Sequence, residues 1–182
     1  MQAQGYRVAR SWEKAGALPS GKTLVVAAPG NLPPPSKRGD VFRQAAVKAL
    51  DTLSRNPNGF FLMIEGSNID KAAHSNNLEE MMEELLDFDR TAGAVLDWAS
   101  KHPGTLVVIT ADHNTGAFAL TGGSREQGEI TGRFGSGSHD GVAVPVYAFG
   151  AGSGDFTGIY ENTDIFNKIM NAFKKGADKP VR

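Results

Sequence analysis

Four apolar, β-prone runs alternate with stretches of helical periodicity along the 182 residues. The runs are Thr23–Ala28, stopped by Pro29-Gly30; Phe60–Ile64, ending in Glu65-Gly66; Thr105–Thr110, ending in Ala111-Asp112-His113; and Val142–Phe149, which carries Pro145 and suits an edge strand. Their apolar character is continuous rather than alternating, which predicts middle strands covered on both faces. Between them, residues 40–55 read as a helix with Val41, Ala45, Val47 and Leu50 on one side. The strongest helical signal spans 78–100, where Leu78, Met81, Met82, Leu85, Phe88, Ala92, Val95, Leu96 and Ala99 recur at three-to-four spacing. Its acidic residues Glu79, Glu80, Glu83, Glu84 and Asp87 read as a solvated face. A last helix over 164–173 runs into Lys174-Lys175-Gly176, basic as a helix carboxyl end favours. Residues 32–40, with Pro33-Pro34-Pro35, and the glycine-rich 121–138 read as long loops. Strands alternating with helices predict an α/β layered sandwich with a largely parallel central sheet covered by helices, built as a single domain over residues 1–182.

Composition removes several classes of function. At 40% hydrophobic and 21% charged the chain is an ordinary globular sequence, and its length can bury a core unaided. A formal net charge of -1 carries no broad footprint for nucleic acid or an anionic membrane. The absence of Cys removes disulfides, thiolate zinc sites and cysteine nucleophiles together. No apolar run is long enough to span a bilayer, and Met1–Arg7 has no apolar h-region, so no signal peptide is read there. The 22 Gly are in excess of average usage and imply much tightly turning backbone.

Gly16–Thr23 matches the phosphate-loop pattern G-x-x-x-x-G-K-[ST], and 106–112 resembles an apolar strand ending in a magnesium-binding Asp. A nucleotide loop must follow a strand and open a helix, so that amides and helix dipole face the phosphates. Here Lys22-Thr23 leads into a strand, so the segment reads as a turn.

The chemistry concentrates around histidine. His74, His113 and His139 each lie within a few residues of an Asp, and His102, in Lys101-His102-Pro103-Gly104, reads as a plain turn residue. If the segment after Glu65 is helical, Asp70 and His74 stand at i and i+4 on one face and can hold one cation together. Asp112-His113 sits just past the third strand, where open α/β sheets place ligands. His139 leaves the glycine-rich loop in Gly137-Ser138-His139-Asp140-Gly141. Carboxylate oxygen with imidazole nitrogen suits a catalytic zinc site, and an oxygen-only ligand such as Glu65 suits magnesium. Singly, Asp70 serves as well as a helix cap, Asp112 as a turn former, and His74 and His139 as surface or loop residues; the conjunction gives them weight.

At these residues the chain resembles the alkaline phosphatase family, from about Gly5 to Phe173. Gly59–Gly66, Ile69-Asp70, His74, Thr105–His113 and Ser138-His139 match its metal-site signatures in order and spacing. The resemblance implies two zinc ions and a magnesium acting on a phosphate monoester, with a serine that attacks phosphorus and a phosphoserine that water hydrolyses. It implies Asp70, His74 and His139 on the first zinc, Asp112 and His113 on the second, Glu65 on the magnesium, and Lys71, alternatively a solvated surface lysine, near phosphate. It also implies a periplasmic or secreted location and a homodimer.

The family's serine, its phosphate-clamping arginine, an aspartate shared by zinc and magnesium, and the remaining magnesium ligand belong to an amino-terminal half that this sequence does not match. No Asp precedes Thr23. The chain therefore reads as the carboxyl-terminal portion of such an enzyme, without the nucleophile and inactive alone, with the missing half as its partner. The alternatives are a non-catalytic zinc- or phosphate-binding module, and a related phosphodiesterase or sulfatase.

Overall fold

The computed structural model describes residues 1–15 and 21–177, which fall into two compact units. Unit 1 comprises residues 1–69 and 79–91; unit 2 comprises 70–78 and 92 onward. Gly16–Ser20 of the phosphate-loop match lie outside the described residues.

Unit 1 opens with β1 (Arg7–Ala9), α1 (Trp12–Ala15) and β2 (Thr23–Val25), and β1 pairs with β2 in parallel register, Val8 opposite Leu24. Lys22 lies over the Tyr6 ring at 5.7 Å, and Thr23 begins a strand. A phosphate loop would need a helix there, and the strand that begins at Thr23 leaves no place for one. After α2 (Pro35–Arg38), α3 (Val41–Leu53) starts beside Asp40, whose carboxylate pairs with Arg43, and the helix buries Ala46 and Leu50 on its apolar stripe. The helix after Glu65, α4 (Ser67–His74), forms as the i, i+4 reading requires, and α5 (Leu78–Ser100) has the bounds its periodicity predicts.

The acidic face of α5 is not uniformly solvated. Glu84 and Asp87 are buried, at 4% and 3% exposure, whereas Leu85 and Leu86 are exposed. The reason is Arg38. Its Nη1 and Nη2 donate to the two oxygens of Glu84 at 2.9 and 2.7 Å, Nε and Nη2 donate to Asp87 Oδ2 at 3.2 and 2.6 Å, and Nη1 also reaches Pro33 O. Every guanidinium N–H is thus used. Burial alone pulls the Arg38 pKa down, but the bonds to Glu84 and Asp87 outweigh it and hold the group charged. Asn68 adds a bond to Glu84 Oε1 at 3.1 Å. The periodicity could not reveal this, because the counter-charge lies 46 residues away in sequence.

Unit 2 is built on β3 (Leu106–Thr110), β4 (Asn114–Thr115), β5 (Ala119–Ser124), β6 (Glu129–Arg133), β7 (His139–Asp140) and β8 (Val146–Gly150), closed by α6 (Asp164–Ala177), which continues past the helical reading at 173. β3 runs antiparallel to β8, β4 to β7 and β5 to β6. Among the described residues the ladders are two-stranded and only β1–β2 is parallel, so the class is α/β while the largely parallel central sheet does not appear in this chain. Residues 59–66 are in no ladder, and Phe61 and Met63 stand 61% and 72% exposed. An apolar run specifies extension, but a sheet needs a partner strand for its amides. The glycine-rich stretch taken as loop contains the β5–β6 hairpin. Gly123 lets the strands close where a Cβ would come 2.3 Å from Glu129 O, and Gly132 makes room for Phe118. No described helix is long and apolar enough to cross a membrane.

Arg38→Met leaves Glu84 buried without a counter-charge and Asp87 with only the 3.4 Å contact of Arg90, and removing one side of a buried ion pair costs about 3–5 kcal/mol. Urea denaturation of the full chain is expected to show that loss, whereas Arg43→Met, at an exposed pair, leaves the midpoint nearly unchanged.

Candidate metal centre

The end of α4 fixes the first two side chains. Ala72 and Ala73 are buried, so Asp70 and His74 lie on the face that stays open, with Asp70 Oδ2 3.4 Å from His74 Nε2. The helix stops because Asn76 takes a left-handed conformation, φ 52. Its N–H returns to Ala73 O and that of Asn77 to Ala72 O, the two bonds that close a helix through a left-handed residue. The Asn76 amide, oriented by its neighbours, donates to Ala73 O and to Ser136 O at 2.7 Å. This ties the helix end to the segment that delivers His139.

That segment is held from both sides. His74 Nδ1 meets Gly137 O at 2.8 Å, and Gly116 N donates to Ser138 O at 3.0 Å. Gly116 has φ 80, and a Cβ there would lie 2.8 Å from the Phe134 ring and 3.1 Å from Ala73 O, so only glycine fits. β4 and β7 then align Thr115 with His139 and Asn114 with Asp140. The Asp140 carboxylate accepts from Val142 N, both its oxygens accept from Asn114 Nδ2, and it accepts from Ala117 N, all at 2.9–3.1 Å. The Val142 amide first, with Asn114 and Ala117, holds this carboxyl below the usual range. A ladder of two residues gains in this way the anchoring that its length does not provide.

Five of the six sequence-predicted ligands, all but Glu65, come together in two groups within unit 2. Among the described residues Asp70, His74 and His139 form a cluster whose ligand atoms lie within 4.8 Å of one another. Beside it, His113 stacks on His139 with ring centroids 3.6 Å apart, and its Nε2 is 3.2 Å from Asp112 Oδ2. Lys71 follows Asp70 on α4 and is exposed. Glu65, also exposed, is two residues before α4 and belongs to unit 1. His102 stacks on Trp98 at 3.7 Å and bonds its carbonyl, a local structural role that matches its reading as a turn residue.

The donor geometry fits zinc. Metal–ligand bonds of about 2.0–2.1 Å in a tetrahedron separate neighbouring donors by about 3.3 Å. His74 Nε2 and His139 Nε2 are 3.0 Å apart, His74 Nε2 is 3.4 Å from Asp70 Oδ2, and His139 Nε2 is 3.6 Å from the other carboxylate oxygen, Oδ1, so the carboxylate spans the two rings with one oxygen toward each. Gly137 O accepts from His74 Nδ1, which leaves Nε2 as the lone-pair nitrogen in the neutral ring. Two imidazoles and a carboxylate without thiolate, partly exposed to solvent, make a donor set of the kind that open rather than closed zinc sites use. Sequence reasoning missed the supporting residues Asn76, Asn114, Thr115 and Asp140; only the position of Asp140 beside His139 could have drawn notice.

Asp140→Asn exchanges an acceptor of several bonds for an amide that donates on one side. Loss of these bonds is expected to loosen the β4–β7 pairing that carries His139 and so to weaken zinc binding. His139→Ala is expected to weaken it further, and calorimetric zinc titration of the full chain measures both.

Comparison with known proteins places this arrangement. The family model "Alkaline phosphatase" matches residues 31–132, more than half of the chain. Streptomycin-6-phosphate phosphatase of Streptomyces griseus is 30% identical over a match that covers 94% of this chain and 49% of that protein. Alkaline phosphatase H of Pseudomonas aeruginosa is 28% identical, with 94% and 45% covered. Among solved structures, a mutant of TAB5 alkaline phosphatase described with Mg bound superposes with a TM-score of 0.82 at 32% identity, over 95% of this chain and 54% of that one. A cold-active alkaline phosphatase from Shewanella sp. shares the fold, with a TM-score of 0.86 at 24% identity. The chain spans about half the length of the curated relatives it matches over most of its own length.

Proposed function

The chain belongs to the alkaline phosphatase family, and on that premise we propose that it supplies the zinc-binding portion of a metal-dependent phosphate monoesterase. The observation that carries this reading is the convergence of His74 Nε2, His139 Nε2 and the Asp70 carboxylate at 3.0–3.6 Å, with His113 stacked on His139 and Asp112 3.2 Å from His113 Nε2. When bound, a pair of zinc ions about 4 Å apart stabilises the attacking and leaving oxygens of an in-line displacement.

In this reading the chain's own side chains orient the donors. Gly137 O fixes the His74 ring, and Asp70 presents a carboxylate edge to both histidines. Lys71 is assigned to the phosphate as a nearby cation, and Glu65 to magnesium, the ion with which the TAB5 mutant is described. The nucleophilic serine, the clamping arginine and the rest of the second zinc and magnesium ligands are assigned to polypeptide outside this chain. The exposed Phe61 and Met63 on an apolar segment without a ladder support that assignment, since added strands there would complete a largely parallel central sheet. A periplasmic or secreted setting and a homodimer follow from the family alone.

Hydrolysis of p-nitrophenyl phosphate in zinc and magnesium is the test, with and without an amino-terminal half taken from a family member. The chain alone is expected to bind zinc and release no nitrophenol, and the pairing is expected to restore turnover. Full activity from the chain alone would refute the external nucleophile. Zinc held without turnover in any pairing would instead favour a non-catalytic binding module.

A further inference from the structure

We propose that Thr115 is a positioning residue that sets the donor atoms of both ligand groups through one hydroxyl. The inference rests on the zinc reading above. Thr115 is 8% exposed, opposite His139 in the β4–β7 pairing, and its Oγ1 touches a member of each group: Asp70 Oδ1 at 2.6 Å and His113 Nδ1 at 3.2 Å.

A threonine hydroxyl has one proton to give. An ionised carboxylate can only accept, so the proton goes to Asp70, and the short distance is that of a charge-assisted bond. The remaining contact must then run the other way, with His113 Nδ1–H donating to the Oγ1 lone pair. Two consequences follow. Asp70 Oδ1 is engaged, which turns Oδ2 toward His74 Nε2. The neutral His113 ring is locked in the tautomer whose bare Nε2 faces Asp112 Oδ2 at 3.2 Å, a nitrogen and an oxygen lone pair converging on one point, as two ligands of a cation do. One hydroxyl therefore prepares a donor in each group, and the direction of both bonds is fixed by that single proton.

Thr115→Val keeps the shape of the side chain and removes both bonds; Thr115→Ser keeps both bonds and removes a methyl. Zinc affinity of the full chain, by competition with a chelator, is expected to fall about 10- to 100-fold for Thr115→Val and to stay within about threefold of wild type for Thr115→Ser. In the zinc-loaded wild-type chain, the nitrogen resonances of His113 are expected to place the ring proton on Nδ1. Equal affinity of Thr115→Val and wild type would overturn the proposal and leave the zinc site intact, whereas a wild-type chain that binds no zinc would overturn the zinc reading itself. Should Thr115→Val not fold, a His113 proton on Nε2 in the wild type, or a Thr115→Ser affinity as low as that of Asp70→Asn, overturns the proposal without it.

Discussion

Two imidazole nitrogens 3.0 Å apart cannot both present lone pairs to each other with nothing between them. His74 is committed by its Nδ1–H bond to Gly137 O, so a proton on His139 or a cation must reconcile the pair, and Asp70 within 3.6 Å of both adds negative charge to the same point. The surrounding structure holds this convergence in place. The left-handed Asn76, the glycine at 116 that only glycine can fill, and the grip of three donors on Asp140 all act at the end of α4 and on the β4–β7 pairing that faces it.

Little of that support is hydrophobic. Unit 2 buries Ala72, Ala73, Trp98, Ala99 and Phe156, but the residues that orient the ligands are amides, a carboxylate and a hydroxyl. Apolar packing is tolerant of small shifts, whereas a hydrogen bond of 2.6–3.1 Å weakens within tenths of an ångström and fixes direction as well as distance. Donor atoms meant to meet at one cation need direction. Unit 1 applies the same device to a different end: Arg38, with all its donors spent on Glu84, Asp87 and Pro33 O, pins the proline-rich segment to α5 through charges that apolar residues could not orient.

The parts legible in the sequence are those with a local period or a local motif. α5 has the bounds that its three-to-four spacing predicts, and Asp70 and His74 share a helix face as their spacing required. Strands were legible as apolar runs and not as pairings: Leu106–Thr110 is a strand, but its antiparallel partner Val146–Gly150 comes 36 residues later, and Phe60–Ile64 joins no ladder. Pairing is a relation between distant segments and leaves no period in either. The β5–β6 hairpin was hidden because glycine has low strand propensity, although here it permits the close approach that the hairpin requires. Glu84 and Asp87 looked solvated for a similar reason, since a buried acid and an exposed one have the same spacing and only a distant arginine distinguishes them.

The same asymmetry governs the site. A metal ligand is recognisable by type, because few side chains can coordinate zinc, and His74, His113 and His139 with their neighbouring acids stood out in a chain of only four His. The residues that aim those ligands carry no such mark, for threonine and asparagine are common and their role lies in which atom they face. Thr115 is unremarkable in Asp112-His113-Asn114-Thr115-Gly116 until its Oγ1 is seen between Asp70 and His113. Sequence thus reveals what can bind, and structure reveals what holds it in line. A site whose ligands are legible is therefore specified as much by small polar residues as by the ligands themselves.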